Sequence, residues 1–245
     1  MLERNYNYQN LLFVYTQRIV FLFIILLSFL NKISAQHLKV ESWYDTQKSI
    51  IKESYYVLKK SPSVQDSSYV SYYYNGKIKS KGNFIRNKAN GTWAYFYENG
   101  KIKMKGNLKE NVPHGYWEYF YESGSITMKG NIIQGMREGE WEFYYENANM
   151  KSIGKYEKNQ KEGLWRYFQE DGSFKAQAEF LKDKGKYKEF YPTGIVKSEG
   201  DIAGGKSMGH WKYYYDNGQL KAEGEERNGM KEGIWKYYYR NSDSV

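Results

Sequence analysis

The sequence contains no cysteine and only 3 prolines among its 245 residues. Without cysteine there can be no disulfide, no zinc site that uses cysteine, no iron–sulfur cluster and no thiol nucleophile. A lipid anchor attached through an N-terminal cysteine, as in bacterial lipoproteins, is excluded for the same reason. We therefore expect no cofactor of these classes.

Aliphatic side chains are also sparse after residue 35, so the chain cannot fill a conventional thick core. The apolar content is aromatic instead, at 19% of the residues and with 27 tyrosines. Tyrosine, phenylalanine and tryptophan favour a pleated, half-buried surface. The composition therefore predicts β structure.

One long apolar run lies near the N-terminus. Arg18 precedes the run IVFLFIILLSFL at positions 19–30, and the small-residue exit Ile33-Ser34-Ala35 follows it. This order is typical of a secretory signal peptide, so we expect cleavage after Ala35 and a mature chain that is periplasmic, on the cell surface or secreted. The alternative is an uncleaved anchor helix, for which the run is short compared with a span of about 20 residues.

The rest of the chain is a tandem repeat. A glycine recurs at intervals of 24 residues, once shortened to 22, and an aromatic residue stands two positions after each. The glycines are Gly91, Gly115, Gly139, Gly163, Gly185, Gly209 and Gly233, and the aromatic residues are Trp93, Trp117, Trp141, Trp165, Tyr187, Trp211 and Trp235. A degenerate copy begins near Ser67, so residues 67–245 are predicted to form about eight repeats, the last one truncated. Residues 36–66 are interpreted as a capping segment with a degenerate half-repeat.

Each unit is predicted to be a β-hairpin. In GTWAYFYENGKIKMKGN, residues 91–107, two strand-like runs flank Asn99-Gly100, and this pair favours the positive φ angles of a type I′ turn. Strand alternation places Trp93, Tyr95 and Tyr97 on one face of the first strand. In the second strand, Lys103 lies on the face opposite Met104.

A second glycine column runs through the second strands. Strand interiors normally avoid glycine, so a recurring one indicates a close approach. We expect each of these glycines to make room for a neighbouring tryptophan ring that lies flat across the sheet. The column comprises Gly82, Gly106, Gly130, Gly154, Gly200 and Gly224, with Ala178 as the exception.

The recurring pattern G-x-W-x-x-Y-Y, then N-G, then K-x-x-G, resembles the MORN-repeat family, and in particular its bacterial variant. The resemblance covers residues 67–245. It implies an all-β fold, an elongated single-layer antiparallel sheet of hairpin repeats of about 24 residues that is twisted into a curved ribbon. Bacterial members are often labelled as antitoxin or immunity components that neutralise a cognate toxin, and eukaryotic members are associated with lipid contact.

The unit at 185–208 departs from the pattern. It follows a unit that is two residues shorter, Tyr187 replaces the tryptophan, and Glu189 stands in a column otherwise filled by Tyr or Phe. We expect a local kink or bulge there, and a weak joint between the two halves of the array.

Two short motifs match catalytic signatures by their letters alone. GDIAGGKS at 200–207 matches a phosphate-binding loop and GKSMG at 205–209 a nucleophile elbow, but both need a strand-to-helix turn, and here a repeat strand follows. The histidines His37, His114 and His210 cannot share a metal, since the last two begin strands about 38 Å apart. We therefore expect no catalytic residue, no metal site and no enzymatic activity.

The remaining candidate is the surface of the sheet. The lysine column, at one position of the second strands, comprises Lys79, Lys103, Lys151, Lys175, Lys197 and Lys221. The tyrosine column, at the ends of the first strands, comprises Tyr97, Tyr121, Tyr145, Tyr191, Tyr215 and Tyr239. In one interpretation the lysines only keep an exposed sheet soluble. In the other, they form a basic track for anionic lipid head groups, surface polysaccharide or an acidic protein.

These observations predict a non-enzymatic exported scaffold that binds a protein or a cell-envelope component through its Tyr/Lys surface. Two alternatives stay open, an antitoxin-type protein that neutralises a toxin and, more weakly supported, a binder of anionic lipid. Nucleic acid is not expected as a partner, although aromatic residues interleaved with lysine suit single strands. Export and the absence of arginine-rich strands argue against it.

Overall fold

The computed structural model describes residues 36–240. The predicted signal peptide and its cleavage site, in residues 1–35, lie outside the described residues. Residues 36–240 form eighteen β-strands in one open antiparallel sheet, which confirms the predicted all-β array of hairpins. Within the same range there is no helix with the length and apolar content needed to cross a membrane.

Strands that follow one another along the chain are neighbours in the sheet, except that β7 and β8 both pair with β6. The predicted capping segment contributes β1 and β2 to this same sheet, and β2 pairs with β3. The strands are β1 (His37–Trp43), β2 (Ile51–Leu58), β3 (Ser61–Tyr72), β4 (Ile78–Ile85), β5 (Lys88–Phe96), β6 (Ile102–Lys109), β7 (Val112–Pro113), β8 (Gly115–Phe120), β9 (Ile126–Ile133), β10 (Met136–Tyr144), β11 (Met150–Glu157), β12 (Gln160–Phe168), β13 (Phe174–Leu181), β14 (Lys184–Phe190), β15 (Val196–Ala203), β16 (Lys206–Tyr214), β17 (Leu220–Arg227) and β18 (Met230–Tyr237).

The turns at the two margins of the sheet differ. Inside a unit, Gly100 has a φ of +90° while Asn99 does not have a positive φ, and the Gly100 N–H donates to the Tyr97 carbonyl at 2.9 Å. This is a three-residue hairpin loop with glycine in the left-handed region, so the predicted type I′ turn at Asn99-Gly100 is wrong. Paired positive φ angles occur instead between units, as at Glu110-Asn111 with 52° and 72°.

The core face consists of tryptophan rings laid against glycines. Trp141 is fully buried at 0% exposure, and Trp165 is 1% exposed. A Cβ atom added to Gly130 would lie 2.4 Å from the Trp141 ring, and one added to Gly154 would lie 2.2 Å from Trp165. The equivalent distances are 2.2 to 2.6 Å at Gly82, Gly106, Gly200 and Gly224. The predicted purpose of this glycine column is therefore confirmed.

Cations cover several of these rings from above, which the sequence analysis missed. The Arg137 guanidinium lies 4.9 Å from the Trp141 ring centroid, and Lys161 Nζ lies 4.2 Å from that of Trp165. Each of these residues stands two positions before the first glycine of its unit. Burial lowers the pKa of Lys161. At Trp141 and Trp165, the two most completely buried tryptophans, the ring is thus sandwiched between backbone and a cation.

Bulges shape the junctions between units, with one exception. Between β11 and β12, Ile153 pairs with Arg166 but Lys155 pairs with Glu162, so β12 carries two extra residues around Gly163, whose φ is +63°. Between β13 and β14 the register runs without interruption from Ala176–Glu189 to Leu181–Lys184.

The kink or bulge expected at unit 185–208 is therefore wrong for this junction. The two-residue deletion removes the bulge that the other junctions carry. Gly185 accordingly lacks the positive φ of its counterparts. Ala178, which replaces glycine, pairs in register with Tyr187, which replaces tryptophan. The smaller ring leaves space for the methyl group.

Candidate binding surface

Each residue of the lysine column is the extra residue of a β-bulge. Tyr95 pairs with Met104 and Phe96 pairs with Ile102, which leaves Lys103 without an opposite residue. The same shift occurs at Lys79, Lys151, Lys175, Lys197 and Lys221, and at Thr127. Bulges bend a strand and redirect a side chain. The repeat therefore projects one residue, usually lysine, from the same point of each hairpin.

The tyrosine column lies beside these lysines. Lys103 Nζ is 5.6 Å from the ring centroid of Tyr97. The same contact joins Lys79 to Tyr73 at 5.7 Å, Lys151 to Tyr145 at 5.3 Å and Lys221 to Tyr215 at 5.5 Å.

The tyrosine hydroxyls connect successive units. The Tyr97 hydroxyl donates to the Phe120 carbonyl of the next unit at 2.7 Å. The same bond, at 2.7 to 2.9 Å, is made by Tyr73, Tyr121, Tyr145, Tyr191 and Tyr215. Burial and the nearby Glu146 carboxylate raise the pKa of Tyr121. Tyr239, the last member of the column, is 96% exposed. The hydroxyl bonds of the tyrosine column therefore link successive units.

A neighbouring row of lysines is paired with carboxylates. Lys105 lies 2.8 Å from Glu118, and Lys129 lies 3.0 Å from Glu142. In the lysine column only Lys197 has such a partner, Glu189 at 2.9 Å, and over residues 36–240 the other five form no salt bridge. All of the column lysines are exposed except Lys175, which is half-buried. Five of the six column lysines therefore present positive charge that no salt bridge neutralises among residues 36–240.

The residues considered for chemistry do not come together. His37 lies 2.9 Å from Asp66, and His210 lies 3.2 Å from Glu223. In the part of the chain that the structure describes, no three or more His, Asp or Glu side chains are grouped as metal ligands would be. Gly204 and Gly205, with φ of +57° and +78°, form the hairpin turn between β15 and β16. The phosphate-loop and elbow motifs therefore lack the strand-to-helix turn that they need.

Three open concavities surround the irregular unit at 185–208. A charged cleft of about 240 Å³ lies over Lys186, Lys188, Glu199, His210 and Lys212. An apolar groove of about 570 Å³ is lined by Phe180, Leu181, Ile202 and Met208, among others. A notch of about 400 Å³ lies at the turn margin between Gln169, Phe174, Phe190 and Pro192. Three indentations of the surface thus coincide with the departure from the repeat.

Two solved structures that are similar to this chain are distant likenesses. The Photorhabdus luminescens Tc holotoxin pore is 9% identical, with 82% of this chain and 15% of that chain covered and a TM-score of 0.20. The TcdB2-TccC3 structure without its hypervariable C-terminal region is 10% identical, with 83% and 15% covered and a TM-score of 0.19. This chain spans about 15% of the length of either protein, and neither likeness supports an argument. No curated protein matches the chain.

The family comparison is specific. The family model described as MORN repeat variant matches residues 65–86, 89–110, 113–133, 137–158, 184–201 and 209–225. No match covers residues 159–183, the unit that contains Gln169 and Ala178. MORN repeats are generally associated with binding to proteins or to membrane lipids. With six matched units across residues 65–225, the chain belongs to the MORN repeat variant family.

Proposed function

We propose that this chain is a non-enzymatic, exported repeat protein that binds a protein or a cell-envelope component. Its binding surface is the combined lysine column and tyrosine column. The observation that carries the proposal is the bulge under every column lysine, because a bulge redirects a side chain at the expense of regular pairing. Repetition of this feature at one position is more than solubility requires, since the neighbouring Lys105 row already supplies charge.

The chemistry of the surface favours an extended anionic partner. Successive members of the column are two strands apart, about 10 Å, and Thr127 doubles this interval between Lys103 and Lys151. Most of them have no carboxylate nearby, while the tyrosine rings beside them offer flat apolar area. A partner with acidic groups at a similar interval gains several weak contacts at once. The apolar run at 19–30 supports export to a compartment where acidic envelope polymers and proteins occur.

A capture experiment with the chain from Gln36 to Val245 tests the proposal. Immobilised protein is incubated with envelope extract, and bound components are compared with those of the variant Lys103→Glu/Lys151→Glu/Lys221→Glu. The matched control is Lys60→Glu/Lys109→Glu/Lys206→Glu, which has the same change in net charge at other exposed lysines. We expect the column variant to lose a component that the control still binds. Equal binding by both variants would contradict the proposal.

Two alternatives follow from the family. An antitoxin-type protein would form a one-to-one complex with a cognate toxin that survives high salt, and its gene would lie beside the toxin gene. A lipid binder would associate with vesicles containing anionic lipid and would lose them in high salt, because exposed charges are screened within about 3 Å at 1 M ionic strength. Sedimentation with such vesicles at low and high salt separates these outcomes.

A further inference from the structure

One junction in the array lacks the hydrogen bonds that hold the others. Wherever the tyrosine column continues, its hydroxyl donates to a carbonyl of the next unit, as Tyr145 does to Phe168 at 2.9 Å. In the unit at 163–184 the corresponding residue is Gln169, which is exposed and whose side chain makes no hydrogen bond within residues 36–240. The corresponding acceptor, the carbonyl of Phe190, therefore receives no side-chain donor.

A second donor is missing at the same junction. At regular junctions a turn asparagine also reaches the next unit, as Asn99 Nδ2 does to the Glu122 carbonyl at 3.0 Å. Asp171 occupies this position in the unit at 163–184, and its carboxylate side chain has no N–H to donate. The equivalent acceptor is the carbonyl of Pro192. Two backbone carbonyls at the notch are thus left to water or to a ligand.

The notch itself has an aromatic floor. Phe174 lies 6.0 Å from Phe168 and 5.5 Å from Phe190 between ring centroids, and Phe174 is 42% exposed. Lys175, the column lysine of this unit, has no tyrosine beneath it, whereas Lys151 lies 5.3 Å from Tyr145. The notch therefore lies where the other units carry a column tyrosine, and here its floor is aromatic.

The rim of the notch is acidic. Glu170 and Asp171 line it and are both exposed. Hydrogen bonds from the Ser173 hydroxyl and N–H hold the pKa of Asp171 below its usual range, so this carboxylate is charged at neutral pH. A ligand that carries positive charge beside its aromatic group complements this rim.

We propose that this notch binds a tyrosine side chain of a partner protein, presented next to an arginine or lysine. This inference rests on the proposed binding function and names the chemistry of one contact within it. The ring would pack on Phe174 and Phe190, its hydroxyl would donate to the Phe190 carbonyl, and the cation would reach Asp171. The chain makes the same hydroxyl-to-carbonyl bond internally six times, with its own tyrosines as the donors.

The test uses an acetylated, amidated arginine–tyrosine–arginine tripeptide titrated into the isotope-labelled chain. We expect shifts of backbone amide resonances at 169–174 and 190–192. The phenylalanine version of the tripeptide should bind about 2- to 10-fold more weakly, as loss of one hydrogen bond implies, and the alanine version should not bind. No shifts, shifts spread over the whole lysine column, or equal shifts with alanine would overturn the proposal.

Two variants sharpen the result. Gln169→Tyr supplies the column's own side chain and should abolish tripeptide binding, while Asp171→Asn should weaken it without loss of folding. Tyr121→Gln is the converse, since it should open a second notch at a regular junction. Unchanged binding by Gln169→Tyr would overturn the proposal. So would concentration-dependent self-association that Gln169→Tyr abolishes, because a second copy of the chain would then be the occupant.

The tripeptide titration and the envelope capture experiment test the two proposals separately. The variant Lys103→Glu/Lys151→Glu/Lys221→Glu leaves the notch intact, so it should bind the tripeptide as the unmodified chain does. Loss of envelope capture with normal tripeptide binding supports both inferences. Equal capture by the column variant and its control, with tripeptide binding retained, contradicts binding through the lysine column and supports binding at the notch.

Discussion

Two junctions in this sheet solve the same packing problem differently. At the junction between β11 and β12, Trp165 lies on Gly154 and β12 bulges by two residues. At the junction between β13 and β14, Tyr187 faces Ala178 and the register is unbroken. The tryptophan ring needs a residue without a side chain beneath it, and a bulge accompanies the tryptophan. The smaller tyrosine ring packs beside an alanine methyl group and occurs with regular strand pairing.

The comparison shows that three departures in the sequence belong together. The deletion of two residues, the change from tryptophan to Tyr187 and the change from glycine to Ala178 all lie at one interface. Gln169 adds the loss of the tyrosine hydrogen bond there. The aromatic row nevertheless continues, since Tyr187 lies 6.1 Å from Tyr167 and 6.0 Å from Trp211 between ring centroids. Whether this joint is mechanically weaker stays a prediction.

The largest effect is expected from Gly130→Ala at a regular junction. The new Cβ would lie 2.4 Å from the Trp141 ring, and such overpacking should lower the free energy of unfolding by about 3 kcal/mol. Strand preference alone would make Gly130→Ala stabilising by about 0.5–1 kcal/mol. The sign of the change in the free energy of unfolding, measured by urea unfolding, therefore distinguishes overpacking from strand preference. The matched change Ala178→Gly should destabilise by only about 1 kcal/mol, and equal costs at both sites would contradict the comparison.

A double-mutant cycle tests whether the ring and the small residue depend on each other. Tyr187→Trp alone should destabilise by about 2 kcal/mol, because the larger ring meets the Ala178 methyl group. Adding Ala178→Gly should recover at least about 1 kcal/mol as a coupling energy. Additive effects in urea unfolding would mean that the missing bulge, and not the methyl group, excludes tryptophan there.

The tyrosine hydrogen bond gives the next effect. Tyr121→Phe removes a hydroxyl that donates to the Tyr144 carbonyl, which should lower the free energy of unfolding by about 1 kcal/mol. Gln169→Tyr should raise it by a similar amount, since it restores this bond at the joint. Thermal unfolding of both variants checks the pair. Tyr74→Phe, at a 67% exposed tyrosine, should leave stability unchanged.

The smallest effect concerns alkaline pH. Burial, with a contribution from the Glu189 charge, raises the pKa of Tyr187 to about 12. A tyrosine in the unfolded chain has a pKa of about 10. Below that pH the neutral side chain of Tyr187 contributes to the stability of the folded state, and this contribution is lost as the pH rises towards about 12. Tyr187→Phe should therefore lose less stability than the unmodified chain between about pH 9 and about pH 12. Parallel stability curves for the two proteins would contradict a half-buried, neutral Tyr187.

Much of the fold followed from the repeat. The recurrence of Gly91 and Trp93 at a fixed interval predicted the hairpin array. The recurrence of glycine at Gly106 and its counterparts, inside strands that normally avoid glycine, predicted that a ring packs on it. Both follow from local rules, namely strand alternation and the steric size of a Cβ atom. The turn at Asn99-Gly100 was predicted wrongly, because its loop has three residues, and the bulges at Lys103 and its counterparts were not predicted. Bulges depend on pairing between strands, which one strand's sequence does not specify.

The candidate surface divides in the same way. The sequence by itself determined that lysines and tyrosines recur in columns, since that is a matter of position along the chain. Only the tertiary structure decided that Lys103 stands on a bulge above Tyr97 while Lys105 pairs with Glu118. It also showed that Gln169 leaves a notch open between two units. These relations join residues on separate strands, so they arise only when the register of the sheet sets which side chains meet.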